Sequence, residues 1–402
     1  MTQRTLWFIV FAAAFVLMLT MGMRMSLGLF MIPLVNDPAI SVGAFSFAMA
    51  VNQLMWGVAQ PATGALADRF GAWPVIFWGT LLLVAGFALM PLWLNDRTLI
   101  LTLGIMVAFG TGAGSHAILM SQVAQKIPPR LRGTASGIVN AGGSFGQTVF
   151  APLLQTLILV PAIAWQGALW ALAAISLLIL PVARWLTRSE GGVATVTNDS
   201  EQTLRAALKT AFRDRSYFLL HLGFFTCGFH IAFLVTHLPQ EIALCGLPPE
   251  VASWSIAIIG MANVLGCLAA GWGVSRFRSK YLLFWMYASR TALIALYLAA
   301  PRTDLVFYLF AIGLGFTWLA TVPPTAAIVG KLFGIRYLAT LFGLTLLSHQ
   351  IGAFFGAWLG GKAYLHFANY QWMWYADMLL ASLAALLNLP IREARVLRTQ
   401  MA

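Results

Sequence analysis

The segment "MGMRMSLGLF" (residues 21–30) sets Arg24 inside an unbroken apolar run. If that run crosses a membrane, an arginine at its depth costs at least ~2.5 kcal/mol on insertion scales. A guanidinium can hold both oxygens of a carboxylate, so the chemistry that would justify Arg24 is capture of an anion. His116, His230 and His349 lie in other apolar stretches, and an imidazole exchanges its proton near neutral pH. Asn52, Asn263, Gln350 and Trp318 add polar groups within similar runs. These eight residues form the candidate substrate-binding set. The competing reading is that Arg24 extends to the membrane interface and His230 is a satisfied core histidine. Likewise the stripes Asn52–Trp56–Gln60 and Asn140–Ser144–Gln147 lie on single helix faces and could simply join helices, since polar groups in hydrocarbon must find partners.

The elements that would position these residues are membrane spans. The chain has 402 residues, 60% hydrophobic and only 9% charged, with a mean hydropathy of +0.83, against roughly 25% charged in soluble domains. Twelve segments of about 20 apolar residues fit between residues 6 and 390, separated by turn and charge signals such as "NDPAIS", "LNDRT", "KIPPRLRG" and "SRFRSK". With the N-terminus inside, nineteen Lys and Arg fall in cytoplasmic segments and three, Arg97, Arg302 and Lys362, in outer loops. By the positive-inside rule both termini are then cytoplasmic, in a multi-pass protein of the plasma (bacterial inner) membrane. The net charge of +12 is explained by these loop clusters and not by a nucleic-acid face. Cys227, Cys245 and Cys267 show no metal or disulfide spacing. No nucleophile–base pair or metal-ligand cluster is found, so an enzyme is not expected, nor a cofactor or a metal. The N-terminal run exceeds a cleaved signal core and reads as a retained first helix.

The chain also repeats. Arg24, Pro33, Arg130, Gly137 and Gly146 recur as His230, Pro239, Arg336, Gly343 and Gly352 at an offset of 206, and Gly64 and Arg69 recur as Gly271 and Arg276 at 207. The expected fold is an all-α polytopic membrane protein, twelve transmembrane helices forming two six-helix halves in parallel repeat. The N-terminal half is 1–187, a cytoplasmic linker is 188–215, and the C-terminal half is 216–402. The later part of the linker is expected to form an amphipathic surface helix. A site between such halves lies near the midplane, with Arg24 and its repeat mate His230 facing the axis.

"GALADRFGAW" (64–73) resembles the loop signature of the major facilitator superfamily, and the resemblance extends over the whole chain through the spans and the repeat. It implies the major facilitator fold, alternating access around a central site, and a cytoplasmic gating latch of Asp68 with Arg69 and Arg132. The second copy carries Ser275 in place of Asp68. "AGGSFGQTVFAPLLQ" (141–155) is similar to the fifth helix of the monocarboxylate and oxalate–formate branches. Those branches carry an arginine on the eighth helix, where this chain has "MANVLGCLAAGWGV" with Asn263 and Cys267 and no basic residue. Arg290 stands in the ninth span, which the resemblance makes outer scaffold near the twelfth. Two readings follow: a structural pair with Asp377, or a second anion site.

Together these features lead to a secondary active transporter of a small organic anion, a carboxylate, with protons as a candidate co-substrate, membrane lipid as its surroundings, and a monomer as its working form. The alternative is a multidrug or lipophile exporter, its pocket lined from the 15 Trp, 16 Met and 28 Phe.

Overall fold

The computed structural model describes residues 3–128, 132–188, 204–334 and 338–393, and among them it is helical with no strand. The first set of helices is α1 (Gln3–Met25), α2 (Met31–Val35), α3 (Val42–Phe70), α4 (Ala72–Leu89), α5 (Asp96–Leu99), α6 (Val107–Ala113), α7 (His116–Lys126), α8 (Arg132–Leu159), α9 (Ala164–Ser176) and α10 (Ile179–Thr187). After α11 (Leu204–Arg213) comes the second set: α12 (Arg215–Leu244), α13 (Pro249–Arg276), α14 (Ser279–Ala299), α15 (Asp304–Thr317), α16 (Val322–Phe333), α17 (Leu338–Phe367) and α18 (Gln371–Asn388). Ten helical runs among the described residues are long and apolar enough to cross a membrane. Helices α8 and α18 stand where the fifth and twelfth spans are expected. Asn140, Ser144 and Gln147 in one, and Gln371, Asp377 and Asn388 in the other, lower their apolar content. The amphipathic linker helix is α11, with Ala207 and Ala211 buried and Arg205 and Lys209 exposed.

Four of the spans among the described residues are interrupted, the sixth at Leu177–Leu178 between α9 and α10. The first passes through a 3-10 stretch, Leu27–Phe30, between α1 and α2. The fourth breaks at Gly114–Ser115, between α6 and α7, and the tenth at Trp318–Thr321, between α15 and α16. A break frees backbone carbonyls, which hydrocarbon does not tolerate unpaired. Thr20 donates to Gly114 O at 3.3 Å and Thr63 to Gly112 O at 3.3 Å.

Glycine lets the remaining helices pack at backbone distance. A Cβ on Gly142 or Gly146 of α8 would lie 2.4 or 2.1 Å from the Ala14 or Met18 carbonyl of α1. On Gly228 of α12 it would lie 1.7 Å from His349 O of α17, and on Gly352 2.0 Å from Phe225 O. The two sets then meet through α3 against α17 and α8 against α13. Along α3 and α17, contact runs from Gly43–Leu365 through Gly361–Ser46 to Gly57–Gln350. Between α8 and α13, Gln147 donates to Ile256 O at 3.1 Å and Thr148 to Ala257 O at 3.2 Å. Beyond these points the helices part: a Cβ on Gly64, Gly137, Gly271 or Gly343 would meet nothing within 4 Å. The tip of the first span closes the other end, where Gly28 abuts Val235 O. The bundle is therefore shut at the end where α1 finishes and open at the end where α1 begins.

At the open end, Glu393 ties three helices together. Its carboxylate accepts from the Ser279 and Lys280 backbone N–H groups at 3.0 and 2.9 Å, at the N-terminus of α14, and from Lys331 Nζ at 2.6 Å. Burial alone would raise the Glu393 pKa, but the Lys331 ammonium and the two amide donors outweigh it and hold the carboxyl below its usual value. A depressed folded pKa means stability that is present at neutral pH and lost as pH falls through that pKa.

Two outcomes are expected. Gly228→Ala and Gly352→Ala should each cost about 1–3 kcal/mol through overpacking, seen as a lower melting temperature in detergent, whereas Gly64→Ala should leave it unchanged. Glu393→Gln should destabilise by roughly 1 kcal/mol at pH 7, with the difference from the parent shrinking as pH falls below the ordinary carboxylate range. A pH-independent difference would separate the clamp from its charge.

Candidate functional site

Arg24 lies in the last turn of α1, where the helix dipole favours a cation, and is only 3% exposed. Ser26 Oγ takes the Gly22 carbonyl at 2.9 Å as the helix tightens into its 3-10 stretch. The guanidinium does not reach for the interface. Its Nη2 donates to Gln53 Oε1, and its Cζ sits 4.0 Å from the centroid of the Trp56 ring, a cation–π contact. Nε has no partner, and no carboxylate pairs with Arg24 among the described residues. Gln53 is a residue that the sequence reading missed. Its spacing to Trp56 and Gln60, three and seven residues, puts it on the same helix face, and that was the available signal.

His230, the repeat mate, has quite different company. Its Nδ1 hydrogen-bonds Asp377 Oδ2 of α18, and both side chains are buried, at 1% and 0% exposure. Nε2 of His230 and Oδ1 of Asp377 are left without partners. Trp318 stands edge-on to the imidazole, with centroids 6.0 Å apart.

This pairing corrects the expected Arg290–Asp377 pair. Arg290 donates instead to Trp318 O at 2.8 Å, to Thr317 O, to Thr317 Oγ1 at 3.4 Å and to Cys227 Sγ at 3.4 Å. The physical reason is the break in the tenth span. The carbonyls freed at the end of α15 attract the nearest cation, which also meets the negative end of that helix dipole. With every guanidinium nitrogen engaged, Arg290 serves the backbone and not a second anion. Asp377, released from it, gives its carboxylate to His230.

Several other candidates join helices. Asn263 donates to Ser144 Oγ at 2.8 Å and accepts from Leu319 N at 3.0 Å, so it bridges α13, α8 and the tenth-span break. Asn52 donates to Leu103 O at 2.6 Å, within a π-helical stretch (Ile100–Met106) of the fourth span. His349 and Gln350 contact each other at 3.1 Å, and each keeps an unpartnered atom, Nε2 and Oε1 respectively. Trp318 is 1% exposed with its indole N–H free. Arg69 lies over the Phe70 ring at 5.1 Å. The side chains of Asp68, His116 and Arg132 lie outside the described residues.

A bundle of membrane-spanning helices, closed at one end over buried ionisable groups and open at the other, is the architecture of an integral membrane carrier. Residues 10–357 match the Major Facilitator Superfamily, and the chain belongs to that superfamily. Among its relatives are monocarboxylate transporter 13 of Bos taurus (25% identity, covering 96% of this chain and 89% of the relative) and the oxalate:formate antiporter of Oxalobacter formigenes (23%, covering 90% and 85%). The fujikurins efflux protein of Gibberella fujikuroi is 25% identical, over 77% of this chain and 65% of its own length.

A double-mutant cycle checks the pairing. Asp377→Asn and His230→Gln should be strongly non-additive in thermal stability, since breaking a buried pair from one side strands a charge at a cost of about 3–5 kcal/mol. Asp377→Asn with Arg290→Gln should be close to additive. The reverse pattern would restore the ion pair expected from sequence.

Proposed function

We propose that the chain is a secondary active transporter that carries a small organic anion, a carboxylate, by alternating access. The observation that carries this reading is Arg24: a buried guanidinium braced by Gln53 and Trp56, with a free Nε and no carboxylate partner. A buried charge of this kind requires a counter-charge, and a bound carboxylate supplies one. The named substrates of the monocarboxylate and oxalate:formate relatives agree in chemistry. The eighth-helix arginine of those branches has no equivalent on α13, and Arg24 takes its place from the first span.

In this reading residues 1–187 and 216–402 are the two rocking halves. The breaks at Gly114–Ser115 and Trp318–Thr321 support the repeat, because Gly114 and Ala320 are 206 residues apart. The charge bias of the loops assigns the open end to the cytoplasm, so the structure stands inward-open in the bacterial inner membrane. Asp68, Arg69 and Arg132 at that end form the latch that engages when it closes. His230, His116, His349, Gln350 and Trp318 complete the lining of the site, while Asn52 and Asn263 hold its helices in register. The efflux relative favours a second reading, an exporter of lipophiles.

A thermal-shift screen of the purified protein against organic acids and lipophilic drugs separates the two readings, because a bound ligand stabilises by mass action. For the acid that binds, Arg24→Ala should weaken affinity by about one to two decades, the worth of a charge-assisted bond. Arg24→Lys should rescue only part, since the planar fork is lost. Unaltered affinity in a folded Arg24→Ala protein would remove the anion reading.

A further inference from the structure

The His230–Asp377 pair is the buried ionisable cluster whose chemistry remains unspent. His237 has both ring nitrogens engaged, by Tyr370 Oη at 3.1 Å and Ala357 O at 2.8 Å. Glu241 accepts from Tyr297 Oη at 2.7 Å and Trp374 Nε1 at 3.1 Å. Arg290 is consumed by the carbonyls of the tenth-span break. Only in His230–Asp377, among these, is a titratable nitrogen both held by a carboxylate and left bare on its far side.

We propose that His230 Nε2 is the site at which this carrier takes up and releases the proton that travels with its anion, and that Asp377 is the positioning residue that holds the ring. The inference rests on the anion reading above. Asp377 accepts from Nδ1–H, which fixes the tautomer and leaves the Nε2 lone pair as the position where the proton arrives. Without it the pair carries one negative charge. With it the pair is an imidazolium–carboxylate of net charge zero.

The charges surrounding the pair set the coupling. Of the elements packed against α12, α17 carries His349, Lys362 and His366, and α3 carries Asp68 and Arg69 in its last turn; Arg290 of α14, with Tyr287 beside it, reaches α12 through Cys227, and Arg24 of α1 precedes the 3-10 stretch that packs on α12. On α12 itself His221 bonds Ser348, and His237 and Glu241 have the partners named above. The charges of α13, α15 and α16 lie in their terminal turns, Glu250, Arg276, Asp304 and Lys331, and the basic residues of α11 precede α12. Arg290 is linked to the pair through Trp318, whose carbonyl it holds and whose ring meets His230, and the pair itself carries −1 or 0. An arriving monoanion adds −1, and a proton on Nε2 cancels it. The interior then has the same charge empty and loaded, so low-dielectric electrostatics makes each ligand favour the other by an equal factor.

The test uses the full chain in detergent and in proteoliposomes, with L-lactate, formate and oxalate as probe anions. Calorimetry in buffers of different ionisation enthalpy counts protons taken up per anion bound across about pH 5.5 to 8.5. The parent should take up close to one proton per monocarboxylate on the alkaline side. Its Kd should rise there by up to tenfold per pH unit, and an inward proton gradient should drive accumulation. Asp377→Asn removes the carboxylate charge that favours a protonated ring. It should still bind and exchange the anion, but with a flat Kd against pH, no proton uptake and no gradient-driven accumulation. If the single variant fails to fold, the double variant His230→Gln with Asp377→Asn strands no charge and is read on its proton count alone: whatever affinity the loss of His230 leaves, it should take up no proton with the anion. A parent that binds anion without proton uptake across this range overturns the proposal, as does a neutralised variant that keeps the parent's proton count. Either result leaves the anion reading intact. Failure of every probe acid to bind the parent would remove that reading, and this one with it.

Discussion

Hydrocarbon offers no hydrogen bonds, so every polar group that the bundle buries must be met by another part of the chain. Most of the interior is arranged around that constraint. The tenth span breaks at Trp318–Thr321, and Arg290 is drawn across from α14 to meet the freed carbonyls. The fourth breaks at Gly114–Ser115, and Thr20 and Thr63 take carbonyls there from two different helices. Because Arg290 is committed to the backbone, Asp377 falls to His230. Among the described residues no carboxylate pairs with Arg24, which is met by an amide and an indole. The electrostatics of the centre thus follow from where two helices are interrupted.

The same constraint separates scaffold from working surface. Gln147, Thr148 and Asn263 make bonds between α8, α13 and the tenth-span break, fastening the two sets of helices at the closed end. Gly57 and Gly361 bring α3 and α17 close between the two sets, and Gly228 and Gly352 bring α12 and α17 to backbone distance within the second. Toward the open end the glycines at 64, 137, 271 and 343 face empty space, which leaves room for those four helices to approach. Atoms that remain unpartnered, on Arg24, His230, Asp377, His349 and Gln350, belong to side chains whose remaining polar capacity is available to a ligand, a proton or water.

Much of this was legible in the residue order. Apolar runs of spanning length, the loop signature at 64–73 and the repeat offset of 206 identify an all-helical membrane protein of this superfamily. They work because the bilayer imposes length, composition and backbone satisfaction segment by segment, and these are local properties of sequence. Arg24 stood out for the same reason, since a charge in an apolar run is conspicuous without knowledge of its neighbours. The fifth and twelfth expected spans coincide with α8 and α18, whose polar residues dilute their apolar content.

The partners of the buried charges were decided by the tertiary structure alone. Arg290 and Asp377 sit on helices that do pack together, and proximity of helices implied an ion pair. The direction in which each side chain leaves its helix, and the carbonyls exposed by a break two spans away, assigned them to different partners. Gln53 was hidden for a similar reason: a glutamine one place from Asn52 is distinguished only by which face of α3 meets α1. Hydropathy and repeat symmetry are set residue by residue along the chain. Which hydrogen-bond donor meets which acceptor depends on helix rotation and on the breaks, and these exist only once the helices are packed.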